Sequence, residues 1–162
     1  MTRPLKVSVI IPVYGVEKYI AEFAVSAFEQ TYPYIEYVFV NDGTKDRSIE
    51  ILENLIAEKY LHLKDSVIIV NKENGGLPAA RKTGLEHASG DYIWHVDPDD
   101  WLELDAVASI VDKIVQTGAD VVYFNLIKEY GDRSKIKRDR PHASDAQREY
   151  VRDMYNHRSF GS

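Results

Sequence analysis

Asp97-Pro98-Asp99-Asp100 sets three carboxylates within four residues. The cluster follows an apolar run, Asp91 to Val96, that reads as a strand, and it precedes Trp101 and a helical pattern. Carboxylates this close repel one another, and a folded chain gathers them at a strand end most economically around a cation. Two carboxylates leave most of a magnesium or manganese coordination sphere open for water and phosphate oxygens. That suits a metal bridging protein to a diphosphate. A plainer reading is a helix N-terminus capped by Asp99 or Asp100, where acidic residues are favoured in any case.

The elements that position this cluster alternate. Val7 to Ile11 is a continuous, mostly β-branched run, as in a strand buried on both faces. A helix follows, with Ile20, Phe23, Ala24, Ala27 and Phe28 on one face. Tyr37 to Val40 is a second buried strand. Ile49, Leu52, Leu55 and Ile56 mark a second helix, with Asp46 or Ser48 able to cap its start. Val67 to Val70 is a third strand. Gly75-Gly76 breaks the chain before a third helix, with Pro78 in its first turn. The fourth strand covers about Tyr92 to Val96. Leu104, Val107, Ala108, Val111, Ile114 and Val115 trace a long amphipathic helix that Gly118 closes, and Val121 to Leu126 reads as a fifth strand. Short connections between alternating strands and helices predict a mainly parallel α/β sheet with helices on both faces.

Ligands of open parallel sheets bind beyond the carboxyl ends of the strands. There the sequence places Pro12-Val13-Tyr14-Gly15, Asn41-Asp42-Gly43-Thr44-Lys45-Asp46, Asn71-Lys72-Glu73-Asn74-Gly75-Gly76 and the carboxylate cluster. Each has a bland reading. Asp42-Gly43 is a common turn pair, Gly75-Gly76 a flexible turn, and Tyr14 a boundary aromatic. Arg81, near the start of the third helix, is a cation at the wrong end of the dipole and needs an anionic partner, a structural carboxylate or a ligand phosphate.

The 162 residues fit one domain, and 44% hydrophobic against 28% charged is an ordinary soluble composition. The absence of cysteine excludes disulfides, zinc–thiolate sites and thiol catalysis. No apolar run approaches the roughly 20 residues of a membrane span, and Val7 to Val13 is too short for a signal-peptide core. The net charge of -6 is uneven. Residues 1–127 carry 11 Lys/Arg against 20 Asp/Glu, and residues 128–162 carry nine against six. An acidic body argues against a nucleic-acid partner. Residues 130–141 read as a loop or ragged hairpin and Asp145 to Asn156 as a helix. Phe160-Gly161-Ser162 makes no natural ending, so a piece of a longer protein is expected.

Taken together and in order, Val7-Ser8-Val9-Ile10-Ile11-Pro12-Val13-Tyr14, Val40 to Asp46, Asn74 to Gly84, Ser89-Gly90-Asp91-Tyr92 and Asp97-Pro98-Asp99-Asp100 resemble the family 2 glycosyltransferases over roughly the first 125 residues. The resemblance implies the GT-A fold, a Rossmann-like sheet flanked by helices, C-terminally truncated here. It implies a nucleotide-sugar-binding domain over 1–127 and the start of an acceptor-side region over 128–162. It further implies an inverting, metal-dependent transfer from a nucleotide sugar, UDP-linked by preference, to a glycan or lipid-linked glycan acceptor in surface-polysaccharide synthesis. The setting it implies is cytoplasmic, with peripheral contact at the inner face of the membrane left open.

Residue by residue, the backbone around Pro12 and the Tyr14 ring would border the base, and Asp42 would accept from the base edge. Arg81 would lie near the base or diphosphate, and Asp97 would hold the ribose or a metal-bound water. Asp99, with Asp97, would bind Mg or Mn, supported by Asp100. Gly15, Asn41 and Lys82 depart from the family pattern of Asn, Asp and Asn. The family's acceptor-activating carboxylate, often in a Glu-Asp pair, is expected beyond Ser162, because no such pair follows Asp100; Glu149 and Asp153 are the nearest acids. A nucleotidyltransferase would favour a Gly-rich basic loop after the first strand, and a phosphohydrolase a nucleophile there; Ile11-Pro12-Val13-Tyr14 offers neither. A non-catalytic nucleotide-binding or interaction module that kept the fold is the remaining rival.

Overall fold

The computed structural model describes residues 3–124, 126–130 and 133–137. The chain divides into two units, residues 1–120 and 121–162. In the first unit β1 (Val7–Val13), β2 (Ile35–Asn41), β3 (Val67–Asn71) and β4 (Tyr92–His95) form one parallel sheet in the order β3-β2-β1-β4. Helices α1 (Ile20–Phe28), α2 (Ser48–Lys59), α3 (Leu77–His87) and α4 (Ala106–Thr117) alternate with the strands. A 3-10 turn, Leu61–Ser66, leads into β3. Among the described residues no helix is long and apolar enough to cross a membrane.

The alternation of side chains along each strand sorts the core into two layers. Val7, Val9, Ile11, Val13, Tyr37 and Phe39 face one side, packed with Ile20, Phe23, Phe28, Leu52, Val107 and Val111. Phe28 anchors that layer, edge-on to Tyr37 at 5.1 Å and to Phe39 at 6.0 Å between ring centroids. Ile10, Val38 and Val40 face the other side against Ala80 of α3. Burial on both faces is why β1 and β2 are mostly apolar and not alternating, with Ser8 and Glu36 as the buried polar exceptions.

The five residues expected on the inner face of α1 are the five that are buried. On α4 the buried stripe narrows to Val107, Val111 and Ile114, while Leu104 precedes the helix and Val115 is exposed. Gly118 ends α4 in the left-handed region at φ 65°, where a side chain would strain the backbone. The fifth strand expected at Val121–Leu126 is displaced. Residues 121–124 carry no strand, and β5 (Leu126–Tyr130) pairs antiparallel with β6 (Arg133–Lys137). β-propensity is realised only where a partner strand supplies a ladder, and here the partner is local in sequence. That hairpin takes up part of the 130–141 segment read as a loop or ragged hairpin. The helix expected at Asp145–Asn156 lies outside the described residues, as do Glu149 and Asp153.

Candidate active site at the carboxyl edge of the sheet

The chain builds β1, β2 and β3 in one direction across the sheet, then returns through α3 to place β4 on the far side of β1. The reversal lies between β1 and β4, and ligand crevices of open α/β sheets form at such a point. Val13, Asn41 and Asn71 are register partners, so the loops after the first three strands leave the sheet level with one another. Ile10 pairs with His95, and Val96 N donates to Ile10 O at 3.1 Å. By that register Asp97 lies level with Pro12. Pro12 is buried within β1, and Tyr14, just past its end, is exposed.

Two loops on this edge are rich in backbone N–H groups, and both are already spent. Gly15 N donates to Thr44 Oγ1 (2.9 Å), Val16 N to Ser48 Oγ (3.2 Å) and Glu17 N to Asp46 Oδ2 (3.0 Å). Asp46 Oδ1 also takes the Ser48 amide at 3.1 Å and its hydroxyl at 2.6 Å. Burial pushes the Asp46 carboxyl up, but the Ser48 and Thr44 hydroxyls and the Ser48 and Glu17 amides outweigh it and bring it down to about 2. The position adjoining α2 is Arg47, without a side-chain cap bond, and not the expected Asp46 or Ser48; Asp46 instead accepts the Ser48 amide from one residue further back and ties the loop after β1 to the loop after β2.

At the start of α3, Gly75 N and Gly76 N donate to Asp42 Oδ1 (2.9 Å) and Oδ2 (2.8 Å). Lys72 Nζ lies 2.5 Å from Oδ1, and Asp42 is only 3% exposed. Burial raises the Asp42 carboxyl, and the Lys72 ammonium with the two glycine amides overcomes that and holds it below the ordinary range. A protein carboxylate thus occupies the place where a helix N-terminus would receive a ligand anion. Lys72 is the residue that sequence reading passed over. Its signal was register: Asp42 and Lys72 each follow one of the paired residues Asn41 and Asn71.

Arg81 lies in the second turn of α3 and directs Nη2 to Asp97 Oδ1 and Oδ2 at 2.8 and 3.1 Å. Of the two partners left open by sequence, a carboxylate is the one present. Its Nε is buried and has no hydrogen-bond partner among the described residues. Desolvation and the Arg81 charge lower the neighbouring His95 against the opposing pull of Asp97. Asp97 N-terminal to the turn accepts Asp100 N at 3.1 Å through its carbonyl. Asp99 is exposed and makes no hydrogen bond or ion pair among the described residues. The structure thus joins Arg81 to Asp97 directly, keeps Asp42 in a separate cluster with Lys72, and leaves Asp99 outermost.

The departures from the family pattern have local reasons. Gly15 has φ 69°, a conformation that Asn tolerates nearly as well. Asn41 uses both ends of its amide, Nδ2 donating to Asn71 Oδ1 (2.8 Å) and Oδ1 accepting from Thr44 N (2.9 Å), which a carboxylate could not do. Lys82 lies on the outer surface of α3, 3.9 Å from Glu86.

For a divalent cation, the donor set is hard carboxylate oxygen, which suits Mg or Mn. Among the described residues no three His, Asp or Glu side chains gather to enclose an ion. Residues that would hold such an ion therefore reduce to the carboxylates of the 97–100 cluster, among which Asp99 makes no hydrogen bond or ion pair among the described residues.

Comparison with known proteins agrees with this architecture. The family model for glycosyl transferase family 2 matches residues 8–161. The glycosyltransferase GlyA of Streptococcus pneumoniae is 42% identical over 120 residues, which is 74% of this chain and 16% of that protein. Staphylococcus aureus TarS 1–349, solved with UDP, superposes with a TM-score of 0.63 at 29% identity, over 72% of this chain and 34% of the TarS chain. The mannosyltransferase PcManGT of Pyrobaculum calidifontis, solved with GDP-Man and Mn2+, gives 0.62 at 27% identity, over 70% of this chain and 33% of its own. The chain thus spans between a sixth and about a third of these relatives. With a parallel Rossmann-like sheet, acidic residues at its carboxyl edge and a family match across nearly its whole length, the chain belongs to glycosyltransferase family 2.

Proposed function

We propose that this chain is the donor-binding part of an inverting, metal-dependent glycosyltransferase that moves a sugar from a nucleotide donor to a glycan acceptor in surface-polysaccharide synthesis. The observation that carries the reading is the state of the amides at the sheet edge. Nucleotide sites on open sheets commonly cradle phosphate with loop and helix N–H groups. Here those of Gly15, Val16, Glu17, Gly75 and Gly76 are taken by protein oxygens. That leaves a larger part for cations in meeting a diphosphate at this edge, which Arg81 and a metal that Asp99 would hold could supply. The UDP of the TarS structure and the GDP-Man and Mn2+ of the PcManGT structure support the same ligand class.

In this reading Asp99 is the residue that would hold the cation. When bound, the cation offsets the negative charge that builds on the departing nucleoside diphosphate. Tyr14 covers the base from the β1 side, and Pro12 forms the floor beneath it. Arg81 exchanges its Asp97 partner for diphosphate, which frees Asp97 for the ribose or a metal-bound water. The unpartnered Nε supports such an exchange, since the guanidinium is incompletely satisfied where it rests. Activation of the acceptor hydroxyl needs a carboxylate within hydrogen-bond reach. The site would work in the cytoplasm.

Calorimetric titration with UDP tests the reading. Binding should require manganese in the wild type, and Asp99→Ala should weaken it by about a hundredfold or more with the far-UV circular dichroism unchanged. Undiminished affinity in that variant would reject the metal assignment. Binding without transfer to an added glycan would favour the non-catalytic module.

A further inference from the structure

Strand β3 ends the sheet on one side: β2 pairs with it, and no strand lies beyond it among the described residues. Lys72 N donates to Asn41 O at 3.0 Å. The alternation along the strand therefore turns the backbone groups of Val70 and Lys72 toward β2 and those of Ile69 and Asn71 outward. Val67-Ile68-Ile69-Val70 has none of the charges or prolines that keep edge strands from pairing, and all of these residues are only half-buried. Val67 and Ile69 stand in register with Tyr37 and Phe39 and share their face, where α2 packs. There Ile56, Ala57, Leu61, Val67 and Ile69 line an apolar groove of about 250 Å³ beside the edge. Leu61, in the turn before β3, is 63% exposed. Glu53 and Lys64 complete the lining, and neither makes a hydrogen bond or ion pair among the described residues.

We propose that this edge is the contact between two copies of the chain, with β3 pairing antiparallel to β3 of the second copy about a two-fold axis at Ile69. Ile69 then lies opposite its own counterpart, Val67 opposite Asn71 and Ile68 opposite Val70, so the outward N–H groups meet outward carbonyls. Opposed residues of an antiparallel pair share a face, so the α2 layers of both copies lie on one side and their grooves join across the axis. The two charged residues favour a second copy over a foreign strand. α2 runs against the strands, so Glu53 lies toward the carboxyl end of β3, whereas Lys64 precedes its amino end. The two-fold reverses one copy against the other and brings Glu53 of each toward the partner subunit's Lys64, the self-complementarity that an isologous contact requires. The carboxyl edges of the two sheets, with the candidate site, face opposite ways and stay open.

Sedimentation equilibrium of the full chain, from about micromolar to about millimolar protein, tests this, and a monomer–dimer equilibrium is expected. Glu53→Lys and Lys64→Glu should each weaken the dimer about tenfold, because the two-fold repeats every lost attraction. The double exchange should restore the wild-type constant to within about threefold. Glu53→Lys also lowers the net negative charge of the chain, so weakening in that variant cannot come from general repulsion between acidic molecules. Ile69→Pro removes an outward N–H and no bond to β2, and it should leave a monomer with native far-UV circular dichroism. If Ile69→Pro does not fold, the exchanges at the exposed Glu53 and Lys64 still decide. A monomer throughout overturns the proposal. So does a dimer that the single reversals leave unchanged or that the double exchange fails to restore. Growth beyond the dimer into open assemblies overturns the two-fold pairing.

Discussion

Arg81 and Asp97 are about one-third and two-fifths exposed, so their pair contributes little to stability in water. Removing it should therefore separate folding from binding. Arg81→Gln is expected to shift stability by less than about 1 kcal/mol in urea titration. If Arg81 meets the diphosphate as proposed, the same variant should weaken UDP binding in manganese by about tenfold, through loss of a charge-assisted contact. A large stability loss with unchanged binding would assign Arg81 to the scaffold. At this scale the sequence was informative about residue type and less so about partnership. Asp42, Arg81, Asp97 and Asp99 stood out by charge and position. That Arg81 rests on Asp97, and that Asp42 is enclosed by Lys72 and two glycine amides, depends on side chains 16 to 34 residues apart.

Helix α3 shows how an element sets the site. It carries Arg81 and begins at the Asp42 clamp, and it lies directly on β1 and β2 through Ala80 and Gly84, its buried residues. A Cβ at Gly84 would come 2.3 Å from Ile10 Cγ2 and 3.3 Å from Val40 Cγ2, so this glycine is required by contact with the sheet. Gly84→Ala gains about 1 kcal/mol in helix propensity. It should nevertheless be destabilised by about 1–3 kcal/mol net of that gain, as overpacking lifts α3 from the strands. Chemical denaturation checks the stability, and a parallel loss of nucleotide affinity would show that the helix carries the site with it. The Gly75-Gly76 break and Pro78 marked α3, but only the packed sheet explains why a small residue stands at position 84. The misplaced fifth strand is the converse case. Val121 to Leu126 has strand-like composition, and the pairing went to Leu126–Tyr130 because Arg133–Lys137 lies close by in sequence.

The first unit is fastened at its opposite edge by a buried carboxylate. Glu36, 5% exposed, accepts from Lys6 Nζ (2.6 Å), Ser8 Oγ (2.7 Å), Ser89 N (2.8 Å) and Ser89 Oγ (2.7 Å). Ser8 Oγ in turn accepts Gly90 N at 2.8 Å, which pins the connection between α3 and β4 beneath β1. Burial raises the Glu36 carboxyl, and the Lys6, Ser8 and Ser89 hydrogen bonds outweigh it and bring it down to about 2. Its folded value lies below its unfolded one, so its stabilisation is fully present above about pH 4.5 and is lost as the pH falls toward 2. The contribution at neutral pH is on the order of 3 kcal/mol. Glu36→Gln should lower stability by about 2–3 kcal/mol at pH 7 and flatten the decline between pH 4.5 and 2 in urea titrations. An unaltered acid limb would mean that other carboxylates dominate it.

Order and spacing along the chain were enough to fix the alternation of strands and helices, the parallel sheet, the face α1 turns inward and the edge on which the Asp-, Asn- and Gly-rich loops open. These follow from periodicities and turn residues, which act within a few positions of one another. Tertiary structure alone decided which charges neutralise which, that the loop amides are consumed internally, and that Lys72 stands beside Asp42. Those outcomes depend on register between strands and on distances across the sheet, and a hydrogen bond of 2.8 Å between Arg81 and Asp97 leaves no periodic trace in the sequence.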